Sequence, residues 1–129
     1  MPQRYLYHGS GASDILDVLL NGLQAREDRD GISLTTSRSR ARWWGSLKDR
    51  EVHLLRLKAP DQSLLIPETA TPADPLFDFT YVGGTISPVQ LDIYADGRWA
   101  SLFDRFSEAL SEDELANWQE RWSPSSPML

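Results

Sequence analysis

One stretch constrains the fold of this chain more than any other: Glu51-Val-His-Leu-Leu-Arg-Leu-Lys58. Apolar side chains stand at 52, 54, 55 and 57, so an extended backbone here carries them on both of its faces. A strand apolar on both faces needs cover on each side, which puts it in the middle of a sheet. The chain has 129 residues, enough for one domain. A chain of that size buries roughly two thirds of its unfolded surface, so one core around a central strand is attainable.

Other segments supply neighbours for that strand. Arg4 to His8 is rich in aromatic, strand-prone residues and is broken by Gly9-Ser10-Gly11. Ser13 or Asp14 suits the start of a helix with Ile15, Leu16, Val18, Leu19 and Leu20 on its apolar face. Gly22 suits a left-handed stop, and Leu23 packs back on the core. A charged loop covers Gln24 to Gly31. Ile32 to Thr36 alternates as a strand. Ser37 caps a short helix, Arg38 to Trp44, which Gly45 is expected to end.

Pro60 to Pro75 reads as a loop with room for a strand at 63–66, and Phe77 to Val82 as a strand or an ordered turn. Gly83-Gly84 reads as a flexible join. Gln90–Tyr94 and Arg98–Leu102 flank Ala95-Asp-Gly97, and Asp-Gly between strand-like runs is a hairpin signal. Ser111 and Glu114 fit a capping box before Leu115, Trp118 and Trp122, which share one helix face. The expected fold is α+β: a mostly antiparallel sheet, short flanking helices and a helical C-terminus, in one domain over 1–122 with a polar tail at 123–129.

Cysteine is absent and only His8 and His53 represent histidine, so no disulfide framework, thiolate metal site or cysteine nucleophile is expected, and no metal. No apolar run approaches the roughly 18 residues of a membrane span, and MPQRYLYHGS has no apolar signal core, so a cytoplasmic soluble domain is expected. The net charge of −6 is uneven: residues 1–60 hold 10 of the 13 Lys and Arg against 7 of the 19 Asp and Glu. The overall acidity disfavours broad affinity for nucleic acid. The basic first half suits one compact anion or one phosphate-bearing ligand; a solvated surface is the more usual meaning of such an asymmetry.

Chemistry is sparse. No Walker A, GxGxxG, GxSxG or HExxH pattern occurs. The informative triplet is His8-Gly9-Ser10 at a strand end. His8 can donate a hydrogen bond to a ligand hydroxyl, Gly9 allows close approach to the backbone, and Ser10 adds a second donor. A turn histidine satisfied by nearby backbone is the alternative. His53, inside an apolar strand, reads as structural, as do Trp118 and Trp122.

Tyr5-Leu-Tyr-His-Gly-Ser10, the helix after it and Asn21-Gly-Leu23 resemble the opening of ADP-ribosyltransferase-fold proteins. Gly31-Ile-Ser-Leu-Thr-Thr-Ser-Arg-Ser-Arg-Ala-Arg-Trp43 is similar to the second strand and small-residue helix of the His-Tyr-Glu subclass. Ile86-Ser-Pro-Val-Gln-Leu-Asp-Ile-Tyr94 falls where that subclass has its glutamate-bearing strand. The resemblance implies a split antiparallel sheet and NAD as co-substrate. It places His8, Gly9 and Ser10 at the ribose and nicotinamide amide, with Ser33 and Thr35 on the second strand of the site. The family's stacking tyrosine falls at Ser33, which cannot stack; Trp43 or Trp44 offers a flat face instead. From their place in the charged loop, Arg26 and Arg29 suit the diphosphate; a solvated loop is the alternative.

The catalytic glutamate of that subclass falls at Gln90, and strand alternation puts Asp92 on the same face as a second candidate, with Leu91 and Ile93 buried. The implied activity is transfer of ADP-ribose to a macromolecule with release of nicotinamide, as in small effectors, toxins and phage-encoded inhibitors. The acidic surface favours a protein acceptor over nucleic acid. RNA 2′-phosphotransferases, which use NAD without that glutamate, are also similar at Ile86–Gln90, though their RNA-binding lobe has no counterpart here. A binding module that keeps the fold without catalysis is the third reading.

Overall fold

A computed structural model describes residues 4–25, 31–47, 49–68 and 78–122. Seven strands among them form one antiparallel sheet: β1 (Tyr5–Gly11), β2 (Ile32–Thr35), β3 (Val52–Lys58), β4 (Leu65–Glu68), β5 (Asp78–Tyr81), β6 (Asp92–Ala95) and β7 (Arg98–Ser101). Their spatial order is β4-β5-β2-β1-β3-β6-β7. Four α-helices accompany them: α1 (Ile15–Asn21), α2 (Arg38–Ser46), α3 (Leu102–Phe106) and α4 (Glu112–Trp122). The fold is α+β, and β3 is central, with β1 on one side and β6 on the other. Leu54 and Leu55, which point to opposite faces, are 2 % and 0 % exposed, as burial on both sides of β3 requires.

Register sorts the side chains into two faces. Leu6, Leu57, Leu55 and Ile93 share one face with Ile32 and Leu34 of β2. Against it pack Ile15, Val18 and Leu19 of α1, Leu102 of α3 and Trp118 of α4, forming the apolar core. The opposite face carries Tyr5, Tyr7, Gly9, Leu54, Arg56, Asp92 and Tyr94, and α2 covers its Gly9 end. A Cβ on Gly9 would run into the Ala41 carbonyl, and one on Gly45 into the Val52 side chain. Glycine at both positions is what lets a helix lie this close to a strand.

The C-terminal helix is tied to the first one by tryptophan. Ser111 and Glu114 form the reciprocal capping box: the Ser111 amide donates to Glu114 Oε1 at 2.9 Å and the Glu114 amide to Ser111 Oγ at 3.1 Å. One turn apart on α4, the indole N–H of Trp118 donates to the Leu19 carbonyl at 2.7 Å and that of Trp122 to the Leu20 carbonyl at 3.0 Å. Carbonyls in the last turn of α1 have no partner within the helix, and the two indoles supply one. The Trp118 ring also stacks on Phe103, centroids 4.1 Å apart. Between β6 and β7, Asp96 and Gly97 both have positive φ, 55° and 80°, the backbone of a type I′ hairpin turn.

Some local expectations give way to tertiary contacts. Gly45 does not end α2, which runs to Ser46; its missing side chain serves packing against Val52 and β1. Neither Ser13 nor Asp14 caps α1 through its side chain. Ser13 instead donates from its amide and its hydroxyl to Asp49 Oδ2, at 3.1 and 2.8 Å, and the Ser13 hydroxyl leads the interactions that hold the Asp49 carboxyl below its ordinary range. Leu102 leaves the hairpin and opens α3, because Ser101 Oγ accepts from the Asp104 amide at 3.0 Å and starts a helix. The short strand expected at 63–66 lies at Leu65–Glu68 after a single 3-10 turn. The polar tail at 123–129, residues 26–30 of the charged loop and residues 69–77 lie outside the described residues.

Candidate functional site

β1 and β3 are registered along the full length of both strands, from Tyr5 opposite Lys58 to Gly11 opposite Val52. β1 and β2 share one registered pair, Tyr7 with Thr35. From His8 onward the two strands part, so the sheet opens between them. The His8 side chain spans this opening: Nδ1 lies 2.9 Å from the Ser33 carbonyl oxygen. A carbonyl only accepts, so Nδ1 carries the proton, and in the neutral ring Nε2 is the accepting nitrogen.

The residues beside His8 are placed by the same parting. Ser10 is 5 % exposed, its hydroxyl turned toward the Gly11 carbonyl at 3.4 Å. The space above Gly9, expected to admit a ligand, is filled by the Ala41 carbonyl of α2. Thr35 is fully buried, and its Oγ1 accepts from the Ser37 amide at 3.1 Å, helping to launch α2. Ser37 Oγ caps that helix by accepting from the Arg40 amide at 3.2 Å. Arg40 reaches back to β5, with Nη2 2.7 Å from Asp78 Oδ2, and its guanidinium lies 5.8 Å from the Trp44 ring centroid. Of the two tryptophans of α2, Trp44 is half-buried beside Gly45 and Trp43 stands 58 % exposed. Arg26 and Arg29 lie outside the described residues.

The third motif takes a different shape from the strand expected at 90–94. Gln90 closes a 3-10 turn, Pro88–Gln90, and β6 begins at Asp92. Pro88 lacks an amide for a strand ladder, and Ser87 Oγ accepts from the Val89 amide at 3.2 Å, which favours the turn. Leu91 and Ile93 are both 0 % exposed, as alternation required. Gln90 is exposed on a turn that packs near α1, tethered by the bridge of Leu23 with Ile86. Asp92 is committed elsewhere: its Oδ2 accepts from Arg56 Nε at 3.0 Å. Register puts Asp92 with Arg56 and Tyr7, and His8 with Leu55 and Ile93, on opposite faces of the sheet.

The structure thus joins His8 and Ser33 at one opening and separates Asp92 from them. What the sequence reading missed is the set of rings and guanidiniums around Arg56. Its signals were the alternation of Tyr5 with Tyr7 and the one-turn spacing of Arg38 and Arg42. Among the described residues, no group of three or more His, Asp or Glu side chains could hold a metal ion, and no helix is long and apolar enough to cross a membrane. Comparison with protein-family models, with curated proteins and with solved structures finds no match.

Proposed function

We propose that this chain is a small cytoplasmic protein of the ADP-ribosyltransferase type that binds NAD at the opening between β1 and β2 and transfers its ADP-ribose to a macromolecule. The observation that carries the reading is His8, fixed by the Ser33 carbonyl where the sheet parts. A held imidazole suits one ribose hydroxyl better than a freely rotating side chain does. NAD supplies an activated glycosidic bond: the bond from C1′ to nicotinamide breaks with its electron pair leaving on nicotinamide, while an acceptor atom bonds C1′ and gives up its proton. Trp44, half-buried and adjoining Gly45, offers the flat face that Ser33 lacks. Gln90, exposed on its turn, would contribute a neutral hydrogen bond to the ribose, a weaker aid to developing positive charge than a carboxylate.

A second reading, an NAD-binding module without turnover, is favoured by the Arg56–Asp92 pair, which takes the nearest carboxylate of the third motif to the other face. Incubation with nicotinamide-labelled NAD separates the two. Release of nicotinamide above the buffer rate supports the transferase. Saturable NAD binding without release supports the module, and neither binding nor release removes both.

A further inference from the structure

The sheet face opposite the apolar core carries a row of rings and guanidiniums that NAD binding at the β1–β2 opening leaves unused. Tyr7 of β1, Trp99 of β7 and Tyr94 of β6 stand together, with Trp99 5.8 Å from Tyr7 and 5.2 Å from Tyr94 between centroids. Arg56 sits between Tyr5 and Trp99, its Cζ 4.2 and 4.3 Å from their centroids, with Asp92 as its carboxylate. Arg38 extends from the first turn of α2 over Tyr7 and Trp99, at 5.4 and 5.6 Å. One turn further, Arg42 lies 5.8 Å from the Tyr94 centroid.

Two features of this face indicate its partner. The first is charge. Arg38 and Arg42 are exposed, and among the described residues no carboxylate pairs with either. Around these rings three guanidiniums, Arg38, Arg42 and Arg56, cluster with Asp92 as the one carboxylate paired to any of them among the described residues, a basic patch on a chain whose net charge is −6. The second is the rings. Cation–π attraction holds each guanidinium near a ring, so less side-chain entropy is lost when its N–H groups meet an anion. The rings themselves are only part-buried. Phosphates suit the arginines, and flat partners suit the rings and the guanidinium planes.

We infer that this face docks single-stranded nucleic acid. A single strand offers phosphates and unstacked bases together. A duplex keeps its bases stacked inside, and an acidic peptide brings charge without rings. The inference stands apart from the NAD reading, because the rings and arginines that carry it are not used there and it needs no NAD.

Fluorescence anisotropy of the full chain, without NAD, tests it with a labelled single-stranded DNA of mixed sequence about 12 nucleotides long. The matching duplex and polyglutamate serve as competitors, over a salt series. The single strand should bind in preference to both competitors. Arg38→Ala with Arg42→Ala should weaken binding about tenfold or more and flatten the logarithmic salt slope by about 1.4, the value for two lost phosphate contacts. Trp99→Ala should weaken binding while leaving the slope unchanged; thermal melts establish that each variant is folded. Absence of single-strand binding at low salt overturns the inference, as does an unaffected double-arginine variant. Equal competition by polyglutamate also overturns it and makes an acidic protein the partner.

Discussion

His8 Nδ1 and the Ser33 carbonyl oxygen lie 2.9 Å apart across the place where β1 and β2 separate. The contact does two things. It gives a carbonyl of β2 a side-chain donor from β1, and it sets the tautomer of the only histidine in the first motif. The candidate site is thus built from a defect in sheet pairing, one residue beyond the last registered pair.

The packing of α2 over β1 gives the first prediction. Gly9→Ala would drive a methyl group into the Ala41 carbonyl, a backbone atom with no rotamer to yield. The expected loss is about 3 kcal/mol or more of unfolding free energy. Urea denaturation followed by Trp fluorescence measures it, and a variant of unchanged stability would show that α2 does not lie where it is described.

The indole bonds to α1 give the second. Trp118→Phe keeps an aromatic face for Phe103 but leaves the buried Leu19 carbonyl unpaired, at a cost of about 1–3 kcal/mol. Trp122→Phe, at a half-buried site, should cost less. The same denaturation experiment ranks the two; the reverse order would contradict the burial assigned to them.

Features resting on short sequence spacing were legible before the structure. Two-sided burial of Leu54 and Leu55, the Ser111–Glu114 capping box, the Asp96-Gly97 turn and burial of Leu91 and Ile93 all arise from neighbours within a few residues. The differences come from partners distant in sequence. Gly45 looks like a helix stop until Val52 and β1 are seen against it. Asp92 looks available until β3 and β6 pair and bring Arg56 beside it. The His8 motif was visible as residues, but its geometry depends on where β1 stops pairing with β2, a property of register that no local pattern encodes.

Turnover supplies the third prediction. Gln90→Glu places a carboxylate at the exposed turn before β6 and should raise nicotinamide release from NAD by about 10²-fold, the scale of one electrostatic group in catalysis. Asp92→Asn should leave release unchanged and cost about 1 kcal/mol of stability, because it weakens a part-buried charge-assisted bond to Arg56. Release abolished in a folded Asp92→Asn variant would instead assign the catalytic charge to Asp92.

The measurement closest to the central claim is calorimetric titration of NAD into the unmodified chain and into His8→Ala. The account predicts saturable binding at one site per chain, weakened about 10- to 100-fold by the substitution as a ligand hydroxyl loses its partner. Equal affinity in the folded variant, or no binding to the unmodified chain, would contradict it.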